Sequence, residues 1–183
     1  MIYIVTALKP EAQAFVDKYK LKKIKVRDYS LFWSDTMLLI ISGVGVTNAR
    51  LATQALINLY DITDDDIYLN IGICAATSTH EIGALMKIDA ILYEGTQYFL
   101  KEKQTHILTC LDQEAFEEKG ALVDMESFGF YDAVIHSPAI KNFFIFKVVS
   151  DHFQPQKVNK EGTKMLVFNV LEEIEKSLMR AHE

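Results

Sequence analysis

Apolar positions along this chain follow two periods: short β-branched or apolar runs, and longer stretches with apolar residues three and four apart. Residues 2–6 form the first run, which breaks at Ala7-Leu8-Lys9-Pro10. Pro10 suits the first turn of a helix whose apolar side is Ala12, Phe15, Val16 and Tyr19. Residues 24–26, 31–33 and 37–42 predict an antiparallel meander, with turns at Asp28-Tyr29-Ser30 and Ser34-Asp35-Thr36 and an end at Gly43-Val44-Gly45. Thr47-Asn48 is the expected cap of a helix carrying Ala49, Ala52, Leu56, Leu59 and Tyr60. After an acidic loop, residues 67–73 read as a buried strand, and 86–93, 105–110 and 121–124 as further strands. The last of these runs into a helix with Phe130, Val134 and Ile135. Residues 143–149 are the most apolar strand and stop at Ser150-Asp151. A final amphipathic helix carries Met165, Phe168, Leu171, Ile174 and Leu178.

Strands separated by helices, with an early meander, predict an α/β fold: a central mixed, twisted sheet flanked by helices. The 183 residues, with no linker or repeat, suit one domain spanning 1–183. Ligands of such sheets bind at the carboxyl ends of strands, so the candidate residues are those at strand exits.

A formal net charge of −6 with scattered basic residues lacks the footprint of a nucleic-acid binder. The run Lys18, Lys20, Lys22, Lys23 and Lys25 reads as a solvated helix end and its surroundings. Two cysteines in apolar runs, Cys74 and Cys110, read as buried thiols. The first residues lack a secretory pattern and no apolar run is long enough for a membrane span, so the expectation is a cytoplasmic protein that does not engage membranes. His80, His106, His136, His152 and His182 show no ligand spacing, and neither a metal nor a cofactor is expected.

Three carboxylates fall at strand exits: Glu11, Glu126 and Asp151. In that setting four segments resemble the nucleosidases that cleave methylthioadenosine and S-adenosylhomocysteine, and more widely the nucleoside phosphorylases. They are Ile4-Val5-Thr6-Ala7-Leu8-Lys9-Pro10-Glu11, Ser42-Gly43-Val44-Gly45, Asn70-Ile71-Gly72-Ile73-Cys74-Ala75-Ala76, and Val123-Asp124-Met125-Glu126 paired with Val148-Val149-Ser150-Asp151. The resemblance implies a phosphorylase/hydrolase-like fold, a small-molecule nucleoside as ligand, and a homodimer. It implies that Asp151 protonates a purine leaving group with help from Ser150, that Glu11 accepts a proton from the attacking water, and that Glu126 holds the ribose hydroxyls with Met125 against the sugar face. Ile73 and Ala75 would line the substrate turn, where the family usually has a hydroxyl residue and glycine.

With only Arg27, Arg50 and Arg180 available to hold phosphate, hydrolysis is favoured over phosphorolysis. Ile73 narrows the expected site, and the Cβ atoms of Ala75 and Ala76 crowd it. The region 94–122 is too short for the family's excursion and base-stacking loop, so Phe116 is expected to pack rather than stack. Purine nucleosidase, phosphorylase and a non-catalytic nucleoside-binding protein on the same scaffold are the three readings.

Overall fold

The computed structural model describes residues 1–181, so His182 lies outside the described residues. Eleven strands join one mixed sheet. Four α-helices cover it: α1 Lys9–Tyr19, α2 Val46–Ile57, α3 Ser127–Ile135 and α4 Lys160–Ala181. The strands are β1 Ile2–Thr6, β2 Lys22–Val26, β3 Tyr29–Trp33, β4 Met37–Ile41, β5 Ile67–Ala76, β6 Leu85–Lys87, β7 Ala90–Tyr93, β8 Thr96–Phe99, β9 Ile107–Cys110, β10 Leu122–Asp124 and β11 Asn142–Asp151. The predicted α/β class, mixed sheet and meander are what the structure shows.

β5 is the axis of the sheet. It pairs in parallel with β1 and β11, and its last two residues pair antiparallel with β10. Near-continuous burial of β5 on both faces accounts for its apolar sequence, as a strand covered on two sides requires. Alternate residues feed two cores: Tyr3 and Val5 of β1 join α2 and α3 on one face, while Ile4 joins α1 and α4 on the other. α2 and α3 approach so closely that a Cβ on Gly129 would stand 2.0 Å from the Val46 carbonyl oxygen.

Several expectations are corrected. Residues 86–93 are two strands: β6 pairs with β11, and the chain then crosses to pair with β9 and β8 as β7. The crossing falls at Asp89, whose buried carboxylate accepts the Thr105 and His106 amides. β11 does not stop at Val149 but continues through Ser150 and Asp151, with a register shift that leaves Ser150 unpaired to β5. α2 is capped by Gly45 rather than Thr47-Asn48 and ends at Ile57, leaving Tyr60 exposed. On α3, Ile135 faces solvent. On α4 the buried face is Val167, Val170, Leu171, Ile174 and Leu178, with Met165 and Phe168 outside it.

Candidate active site

The first strand exit sets Glu11. Pro10 opens α1, and Glu11 in its first turn folds back so that Oε2 accepts the amides of Ala7 (2.9 Å) and Leu8 (2.8 Å), which the helix leaves without partners. Oε1 accepts the Ile73 amide from β5 at 3.0 Å. A Cβ on Gly72 would lie 2.9 Å from Oε1, so this carboxylate position requires glycine there. Glu11 is only 2 % exposed. Burial pushes its pKa up, opposed by the three amides and by the Lys147 ammonium.

β10 runs back along the end of β5 and delivers Asp124, Met125 and Glu126 beside it. Asp124 is buried and saturated: it accepts the Ser127 hydroxyl (2.6 Å), the amides of Ser127 (2.9 Å) and Glu126 (3.3 Å), and the Lys147 ammonium (2.8 Å). Glu126 Oε1 accepts the Gly45 amide at 3.1 Å, which ties it to the glycine turn before α2. Burial, with the Asp124 and Glu11 charges, pushes Glu126 up to about 7 against the pull of Lys147 and the Gly45 amide.

The irregular end of β11 supplies the third carboxylate. Asp151 Oδ1 accepts the Gln154 amide at 2.8 Å, and Oδ2 lies 2.8 Å from Ser150 Oγ, which is also 3.1 Å from the Cys74 carbonyl oxygen. The hydroxyl has one proton and faces two acceptors. When it donates to Cys74, a proton on Asp151 completes the pair; when Asp151 is ionised, the hydroxyl turns to it. Phe153, with φ 59, takes the left-handed region that lets the chain double back to Asp151.

These elements meet at one cavity of about 290 Å³. Glu11, Ile73, Ala75, Met125, Glu126, Ser150 and Asp151, all singled out in the sequence, line it together. Leu8, Val44, Pro155 and Val158 give it apolar walls, and Gln113, Glu114 and Ala115 come from the short β9–β10 connection. The expected crowding by Ala76 does not occur, because its side chain is buried in the core while Ala75 lines the cavity. Phe116 neither stacks in the cavity nor packs in the core: it is 69 % exposed and borders a neighbouring surface depression. Among the described residues no group of three His, Cys, Asp or Glu side chains could hold a metal ion, and no helix is long and apolar enough to cross a membrane.

Two members of the site had no role in the sequence reading, Lys147 and Gly72. The signal for Lys147 was legible: a lone lysine inside an apolar strand must find buried partners. Its contact with Asp124 was not, since the two are distant in sequence.

No protein-family model matches the chain, and no curated protein matches it in sequence. Its fold does match solved structures over nearly their full length. A candidate 5′-methylthioadenosine/S-adenosylhomocysteine nucleosidase from Francisella philomiragia superposes with a TM-score of 0.80 at 12 % identity, covering 98 % of each chain. The corresponding nucleosidase of Neisseria meningitidis, bound to methylthio-immucillin-A, gives 0.76 at 14 % identity over 96 % of this chain and 98 % of that one. Futalosine hydrolase of Helicobacter pylori gives 0.71 at 11 % identity over 94 % and 97 %. The chain therefore shares its fold with these nucleosidase and futalosine hydrolase structures.

Proposed function

We propose that this protein hydrolyses the N-glycosidic bond of a purine nucleoside or thionucleoside. The observation that carries the reading is the convergence of Glu11, Glu126 and Asp151, from three separate parts of the chain, on one cavity. Glu126 accepts the sugar hydroxyls, and Met125 lies against the sugar. Asp151, oriented by Ser150 and the Gln154 amide, gives its proton to the purine, so the base leaves neutral with the electron pair of the broken carbon–nitrogen bond. Positive charge develops on the sugar, where the nearby carboxylates stabilise it. Water then bonds to the anomeric carbon and its proton passes to Glu11, which releases it to solvent while solvent returns a proton to Asp151. Carboxylates of different protonation in one site are what such acid–base work needs.

Phosphate suits this cavity poorly. Glu11, Glu114, Asp124, Glu126 and Asp151 line it, with no arginine or lysine among the described lining residues. Arg50 is engaged with Asp132 at 2.6 Å. The test is incubation of the protein with methylthioadenosine, adenosine and inosine, with and without phosphate. Free base with free sugar in both conditions is expected, and sugar phosphate formed only with phosphate would identify a phosphorylase instead. The chain is further proposed to work as a homodimer, and a monomer mass by light scattering would contradict this.

A further inference from the structure

Lys147 is 1 % exposed, the only charged side chain in the run 143–149, and it is not part of the cavity lining. Its ammonium lies 2.8 Å from Asp124 Oδ2. The point where a Gly72 Cβ would stand is 2.9 Å from Glu11 Oε1 and 3.5 Å from Lys147 Nζ, so the bare glycine leaves room for both charges on one side of β5. We propose that Lys147 is a positioning residue: held behind the cavity lining by its ion pair with Asp124, it supplies the positive charge that keeps Glu11 ionised as the acceptor of the water proton. The proposal rests on the nucleosidase reading for the role of Glu11, though not for the charge arrangement.

Three buried carboxylates, Glu11, Asp124 and Glu126, share this one ammonium. Uncompensated buried charge is costly, so the proton inventory of the cluster depends on it. Asp124 has its oxygens occupied by Ser127, the Glu126 amide and Lys147, and so serves as the anchor. Burial disfavours charge on Lys147, but Asp124, Glu126 and Glu11 together raise its pKa, and it stays an ammonium. The titratable groups around it are Glu11 of α1, Cys74 of β5, Cys110 of β9, Asp124 of β10 and Glu126 before α3. Without Lys147, only three amides would oppose the burial of Glu11, and a protonated Glu11 accepts nothing from water.

The experiment compares the native chain with Lys147→Met, Lys147→Arg and the double variant Lys147→Met with Asp124→Asn. The double variant removes both charges of the buried pair and so keeps the proposal testable if the single one does not fold. Two readouts are taken: the pH dependence of base release, and titration of the Glu11 carboxylate in ligand-free protein by carbon-13 NMR. In both methionine variants the Glu11 titration and the acid limb of activity move upward by about one pH unit or more, the size typical of losing a nearby opposite charge. Lys147→Arg restores the native profile. A Glu11 titration unmoved in a folded methionine variant, or activity lowered equally at every pH, overturns the proposal. Absence of base release by the native chain would instead contradict the nucleosidase reading, and the NMR titration would still decide the role of Lys147.

Discussion

In the proposed reaction, Glu126 ties ligand binding to pH. Because its pKa is pushed to about 7 by burial and by Asp124 and Glu11, its ionised form is gained between pH 6 and 8. Ionised, it is an acceptor for two sugar hydroxyls, so nucleoside affinity measured by calorimetry should rise across that window. Glu126→Gln should weaken binding at pH 8 by about 1–3 kcal/mol and flatten the pH dependence. Stability runs the other way. A carboxylate whose folded pKa lies above its unfolded value contributes stability below about pH 4.5 and loses it as pH rises through about 7. Glu126→Gln should therefore gain stability relative to the native chain at pH 8 and not at pH 4, by at most about 3 kcal/mol in denaturant titration. If Glu126 holds the sugar as proposed, the same group weakens the fold in the pH range where it binds best.

At the scale of elements, α4 separates what periodicity predicts from what packing selects. Of the expected set, Met165, Phe168, Leu171 and Ile174 advance in steps of three, which lag behind a full turn and walk off one face, and only the last step, to Leu178, is four. Val167, Leu171, Ile174 and Leu178 advance by four, three and four, and these stay on the sheet. Ile174→Ala should cost about 2–5 kcal/mol, whereas Phe168→Gln, on the outer face, should change stability by no more than about 0.5 kcal/mol in thermal unfolding. Strand existence was legible wherever β-branched runs were bounded by turns, but strand partners were not. β8 was missed although its hairpin carries a clear signal: Glu94 (φ 48) and Gly95 (φ 78) form the two-residue left-handed turn that joins it to β7. The lysines of β2 also gain a plainer meaning. Lys22, Lys23 and Lys25 are exposed on the sheet's edge strand, where charge discourages pairing with other chains.

Across the whole molecule, the fold was legible because strand exits and glycine turns follow one another in a fixed order, and β-α connectivity leaves few ways to assemble them. The residues that line the candidate cavity were legible as a set, since loops at the carboxyl ends of β1, β5 and β11 must gather at one end of a parallel core. Its electrostatics were not. The saturation of Glu11 by three amides, the Asp124–Lys147 anchor and the bulge at Ser150 depend on register and backbone turns that no short motif encodes. The proposed reaction depends on Asp151 delivering a proton to a departing base. The direct measurement is release of free base from the nucleoside panel by the native chain and by Asp151→Asn, with binding of the same nucleosides followed by calorimetry. Turnover by the native chain that falls at least about a hundredfold in Asp151→Asn, with the ligand still bound, is the predicted result. Binding without turnover in the native chain, unchanged by Asp151→Asn, would contradict it.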